Sequence, residues 1–170
     1  MEPIQTAITG KEDEEKASAP IQALVQFYRA LNHGDIDMMA DNWAQTDDIA
    51  MDNPLGGIRR GWSEIRPVYE KIFNGPAEVK IEFYDYTIHE SGDMFYAVGR
   101  ERGHLRLGDS HLDLAIRTSR VFRKMNGRWR QVHHHGSIDD PELLELYQMA
   151  LLSRSEVDLG ARYVSEMAGR

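Results

Sequence analysis

Between Ser18 and Pro76 the apolar positions recur every three or four residues, and from Ala77 onward they recur roughly every second residue. The first pattern predicts helices. Ser18-Ala19-Pro20 is a cap and first turn, and Ile21, Leu24, Val25, Tyr28 and Leu31 then fall on one helical face. His33-Gly34-Asp35 closes that helix and caps a second, from about Ile36 to Ala44, whose Met38, Met39 and Trp43 are apolar. The short connection predicts an antiparallel pair. Asp47 to Asp52 reads as a short strand, and Asn53-Pro54-Leu55-Gly56-Gly57 as a sharply bent loop. Gly61-Trp62-Ser63-Glu64 then leads into a third helix, carrying Ile65, Val68, Tyr69 and Ile72 and ending near Asn74-Gly75-Pro76.

The two-residue period predicts four long strands: Val79 to Ile88, Met94 to Leu107, His111 to Lys124 and Arg128 to Ser137. They are separated by Glu90-Ser91-Gly92-Asp93, Leu107-Gly108-Asp109-Ser110 and Met125-Asn126-Gly127, all rich in turn-forming residues. The expected architecture is α+β, a strongly curved, cone-shaped antiparallel sheet with three N-terminal helices on its concave face. An amphipathic C-terminal helix bearing Leu143, Leu144, Leu146, Tyr147, Met149 and Leu151 is added. The division is an acidic mobile tail over 1–17, one cone domain over 18–138 and a helical extension over 139–170. In the first 17 residues five acids stand against two lysines, with few large apolar groups, hence the expectation of mobility.

Composition narrows the classes. With 41% hydrophobic and 28% charged residues, 170 residues suit a single globular domain. A net charge of -8 disfavours a general nucleic-acid or anionic-membrane binder. There is no cysteine, so disulfides, thiolate chemistry and cysteine-based zinc sites are excluded. No apolar run is long enough for a helical membrane span, and no secretory signal stands at the N-terminus, so a cytoplasmic location is expected.

The order helix, helix, short strand, helix, four long strands resembles the nuclear transport factor 2-like, or SnoaL-like, fold over about Ile21 to Ser137. Arg60-Gly61-Trp62-Ser63-Glu64-Ile65, the strand Arg117 to Arg123, and Asn126-Gly127-Arg128-Trp129-Arg130-Gln131-Val132-His133-His134-His135-Gly136-Ser137 carry the resemblance. The last two are also similar to the association domain of calcium/calmodulin-dependent protein kinase II. That resemblance implies a dimer-forming cone with a pocket, and Arg102 and Arg120 match its pocket arginines. A third family arginine, after the final histidine, is replaced here by Gly136. Fold relatives such as ketosteroid isomerase and SnoaL-like cyclases imply a pocket aspartate as a proton-transfer base.

The residues permit an independent reading. Leu112, Leu114, Ile116, Thr118, Arg120 and Phe122 share one strand face, which sets Arg120 in an apolar cone where it needs an acid, a carbonyl, water or an anionic ligand. Arg102 with Arg120 could grip a carboxylate; the alternative is internal pairing with Glu82, Asp52 or Glu101. Strict alternation puts Trp129, Gln131, His133 and His135 on one face of the last strand, expected to be a dimer-forming outer face, and Val132 and His134 on the other. Asp52, at the end of the short strand before the Asn53-Pro54 turn, is the candidate base that the resemblance implies, with His134 as its polar partner. Asp52 in an Asx turn is the structural alternative. Tyr28, Trp43, Trp62 and Tyr69 are candidate aromatic walls, or plain helix-to-sheet packing. No metal and no cofactor is expected. Three functions remain open: a small-molecule-binding homodimer with a partly cationic pocket and an organic, anionic or carbonyl-bearing ligand; a cofactor-independent isomerase, cyclase or dehydratase; and an oligomeric assembly module.

Overall fold

Gly34 sits in the left-handed region at φ 66°, and its N–H caps the first helix while Asp35 Oδ1 accepts from Asp37 and Met38 to start the second. One tripeptide thus ends α1 (Ala19–His33) and begins α2 (Ile36–Asn42). The computed structural model describes residues 2–152. After α2 come β1 (Ala50–Asp52), β2 (Arg59–Arg60), α3 (Gly61–Phe73), β3 (Glu78–Ser91), β4 (Met94–Leu107), β5 (Ser110–Met125), β6 (Arg128–Ser137) and α4 (Pro141–Leu152). Of the expected extension over 139–170, residues 153–170 lie outside the described part.

The strands form one curved sheet in the order β2-β1-β6-β5-β4-β3. β3 to β6 are antiparallel neighbours, as the hairpin turns require. β1 differs from the all-antiparallel expectation, for it runs parallel to β6, pairing Ala50 with His133, Met51 with His134 and Asp52 with His135. Residues 53–127 separate the two strands, so no tight turn forces them antiparallel. Also, β2 follows the expected loop, where no strand was expected, and pairs with β1. α1, α2 and α3 bury Leu24, Phe27, Tyr28, Met39, Ile65 and Tyr69 against the sheet's inner face.

Two irregularities shape the cone. In β3 the pairing shifts between Tyr84 and Thr87, and Asp85 turns to φ 50°. Across from it stands Gly99, where a Cβ would lie 2.5 Å from Tyr86 Cβ, so only glycine admits the bend. In β6 the pairing shifts again, Val121 opposite His133 but Phe122 opposite Gln131, leaving Val132 as the extra residue. Its consequence falls on the site.

The acidic N-terminal segment does not trail free as expected. Ile4 and Ile8 each exchange both backbone hydrogen bonds with β3, at Tyr86 and Phe83, and Ile8 is 2% exposed. Asn32 donates to Thr9 O, and Glu12 accepts from the Thr9 and Gly10 amides. The segment covers the edge of β3 that a sheet of this length would otherwise leave unpaired.

Candidate functional site

Inner positions of β4, β5 and β6 meet α1 at a buried ionic network. Arg120, 1% exposed, donates from Nη2 to Glu101 Oε1 (2.7 Å), from Nη1 to Gln131 Oε1 (3.0 Å) and from Nε to the Tyr28 hydroxyl (3.2 Å). Tyr28 donates to the same Glu101 oxygen (2.6 Å), and the guanidinium lies 3.5 Å from the centre of the Phe27 ring. Burial alone would lower the Arg120 pKa, but the facing Tyr28 and Glu101 hold it above its ordinary value. Arg120 is therefore a cation with its counter-charge built in, the internal pairing that competed with a ligand.

The structure does not bring Arg102 to Arg120. Arg102 is on the opposite face of the sheet, bonded to Glu82 at 2.6 Å and laid over Tyr84. The reason is parity. Phe95, Ala97, Glu101 and Leu105 turn inward along β4, which sends the even-numbered Arg102 outward with Tyr96 and Val98. Asp52 and His134 are likewise separated: the Asp52 carboxylate contacts His135 Nδ1 at 2.8 Å and His133 Nε2 at 3.7 Å on the outer side. The bulge at Val132 corrects the alternation in β6, since Trp129 and Gln131 share the inner face with His134 rather than the outer face with His133 and His135.

His134 is buried, and its Nε2 is 3.0 Å from Thr118 Oγ1. The single hydroxyl proton of Thr118 goes to His135 O, so Thr118 accepts from His134 Nε2–H and the proton-free nitrogen is Nδ1. Burial, and then the Arg120 charge, hold its pKa well below the ordinary 6.5, keeping the ring neutral at pH 7. Nδ1 has no hydrogen-bond partner, nor do the buried Tyr69 hydroxyl, Trp43 Nε1 and Gln131 Nε2. Burial pushes the Tyr69 phenol up to about 12 against the opposing Arg120 charge. The donor groups of Trp43 and Arg120 also turn toward its oxygen, but neither makes a hydrogen bond of good geometry, so its O–H remains free to donate.

Tyr69, His134, Arg120 and Glu101 line one small chamber of about 40 Å³ with Phe27 and Tyr147. Of the expected aromatic walls, Tyr69 reaches it, Tyr28 stands behind it in the ionic network, Trp43 packs on Tyr69 and Trp62 packs elsewhere on the core. Larger depressions are open grooves: one of about 820 Å³ includes Arg102, and one of about 540 Å³ on the outer face includes Arg100 and Arg117. Their arginines are paired with Glu82, Asp85 and Asp139, which makes them ordinary solvated surface. At Gly136 a Cβ would lie 3.2 Å from Pro54 and 3.3 Å from His134, so an arginine there would require the Pro54 loop to move.

Gln131, Thr118 and Tyr147 are site residues that sequence reasoning did not single out, and Glu101 was named only as one of three alternative partners for the arginines. The apolar odd positions of β4 were a usable signal for Glu101, whereas the bulge that turns Gln131 inward left none.

A curved sheet closed by three helices over a polar chamber defines the cone-shaped α+β class of the nuclear transport factor 2-like superfamily. The chain belongs to the SnoaL-like domain family, whose sequence profile matches residues 21–141. No curated protein matches it by sequence. Similar solved structures include a Thiobacillus denitrificans protein named as a candidate calcium/calmodulin-dependent protein kinase type II association domain (25% identity, 72% of this chain and 96% of that chain, TM-score 0.60). Another is a candidate dehydratase of the NTF2-like family from Streptomyces avermitilis (20% identity, 70% and 92%, TM-score 0.65). A third is a candidate ketosteroid isomerase from Shewanella frigidimarina (21% identity, 71% and 95%, TM-score 0.56). Among the described residues no helix is long and apolar enough to cross a membrane.

Proposed function

We propose that this domain binds a small, uncharged, carbonyl- or hydroxyl-bearing organic molecule in the cone chamber. The observation that carries the reading is the pairing of Arg120 with Glu101 beside two unpaired groups, the Tyr69 hydroxyl and His134 Nδ1. A carboxylate ligand would compete with Glu101 for Arg120 and leave one of two anions uncompensated in a buried site. An uncharged ligand meets a phenol donor for its carbonyl oxygen and an imidazole acceptor for its hydroxyl. The carboxylate grip by Arg102 and Arg120 is thereby set aside. In a thermal-shift panel of small ketones, lactones and amides with matched carboxylates, uncharged members should raise Tm and carboxylates should not. The shift should be lost in Tyr69→Phe. A preference for carboxylates, or a shift unchanged in Tyr69→Phe, would overturn the reading.

The proton-free Nδ1 of His134 favours one second reading, a cofactor-independent isomerase or dehydratase in which His134 takes a proton and Tyr69 steadies the developing oxyanion. Asp52 has no part in it, being held by His133 and His135. The names of the Streptomyces and Shewanella structures are compatible with this reading.

We further propose a homodimer through the outer sheet face. Tyr96 and Val98 are 44% and 45% exposed there, next to His133 and His135. That face is also the one an assembly module would use.

A further inference from the structure

The chamber of about 40 Å³ admits a few water-sized groups at most, whereas small-molecule sites run to about 300–1,000 Å³. If the cone takes an organic ligand, part of its wall has to move. The sheet and the three N-terminal helices are poor candidates, since Arg120, Tyr28, Phe27 and Phe83 are interlocked there at 1% exposure or less. The remaining wall is the Asn53–Pro54 loop and Tyr147; Tyr147 comes from α4, which bonds to that loop through Gln148 and begins at Pro141, where the family match ends.

Resting on the cone-ligand reading above, we propose that α4 is a gate and Tyr147 its size-selecting residue: the ligand reaches Tyr69 and His134 only when α4 lifts from the Asn53–Pro54 side of the cone. The helix supplies its own N-terminal cap. Asp140 caps it by accepting from the Glu142 and Leu143 amides, so it starts without borrowing groups from the cone. Its inward face is apolar (Leu143, Leu146, Tyr147, Ala150, Leu151), and a side-chain hydrogen bond, Gln148 Nε2 to Pro54 O at 2.8 Å, ties it to the rim. At its root Ile138 is buried against the sheet and Asp139 is paired with Arg117 of β5, so the pivot is Asp139–Asp140, anchored to the sheet on its N-terminal side. Burial raises the Tyr147 phenol well above its ordinary pKa, with Glu101 and Tyr69 adding to the effect, so what it brings to the chamber is a neutral ring and a hydroxyl.

The test uses an uncharged fluorescent ketone, 6-propionyl-2-dimethylaminonaphthalene, with the full chain. The chain has no cysteine, so Gly56→Cys with Gln148→Cys gives a unique thiol pair for cross-linking by dibromobimane; a Cβ at Gly56 lies 3.9 Å from Gln148 Nε2. The strain of a cysteine at φ 92° and the lost Gln148–Pro54 bond are common to the free and cross-linked forms being compared. Uptake of the ketone should slow at least tenfold when the pair is cross-linked. It should quicken at least fivefold in Tyr147→Ala and remain within twofold in Tyr147→Phe, which keeps the ring. Equal uptake by the cross-linked and free forms, with binding still abolished by Tyr69→Phe, would overturn the gate and leave the cone reading intact. No ketone binding by the uncross-linked protein, or binding indifferent to Tyr69→Phe, would overturn both.

Discussion

Arg120 and Glu101 each occupy a position that is tolerable only because of the other. An arginine truncated at 120 leaves a buried carboxylate with Tyr28 as its remaining donor in the network, and a loss of about 3–5 kcal/mol is expected for breaking such a pair. In urea unfolding, Arg120→Met and Glu101→Met should each cost that much, and the double variant markedly less than their sum. Additive losses would mean the two residues do not act as a pair. His134 contributes to the pH response. Its native pKa lies well below the unfolded value near 6.5, so its contribution is complete above about pH 6.5 and is lost as pH falls toward the native pKa, because the unfolded chain takes up the proton first. His134→Gln should therefore flatten the acid side of the Tm–pH curve relative to wild type. An unchanged acid slope would place a protonated His134 in the native state.

The N-terminal segment and the two bulges decide whether the elements close. The Phe83 and Tyr86 amides donate to Ile8 and Ile4, so both should exchange slowly with solvent. In a chain lacking residues 1–10 both should exchange at rates of an open edge, and the freed β3 should promote aggregation. Fast exchange in the intact chain would mean the segment is mobile. Here the limits of sequence reading are physical. Period and turn chemistry gave the helices and the four long strands, because amphipathic faces repeat along the chain. The N-terminal pairing was hidden because its informative residues are two isolated isoleucines among small and polar residues, ahead of the acidic run at 12–15, too few to show a period. Parity in β4 was legible and points Arg102 outward; a motif match drew it inward instead. Parity in β6 was not, because a bulge is fixed by the neighbouring strand rather than by Val132 itself.

For the whole molecule, the inner and outer sheet faces have separate duties: a chamber inside, and outside a mixed surface with Tyr96, Val98, His133 and His135. Sedimentation equilibrium should give a dimer at micromolar concentration, shifted toward monomer by Val98→Lys with little change in Tm; a monomeric wild type would remove the proposal. The chain carries its own reporters for the central claim, because three consecutive histidines sample both faces and His134 alone lines the chamber. The most direct measurement is the imidazole ¹⁵N spectrum during titration with the uncharged compound that raises Tm most. Ligand in the cone predicts that His134 begins as the neutral Nε2–H form and that its Nδ1 resonance moves on binding while His133 and His135 hold still. Movement of His133 and His135 with His134 unchanged would put the ligand on the outer face and contradict the account.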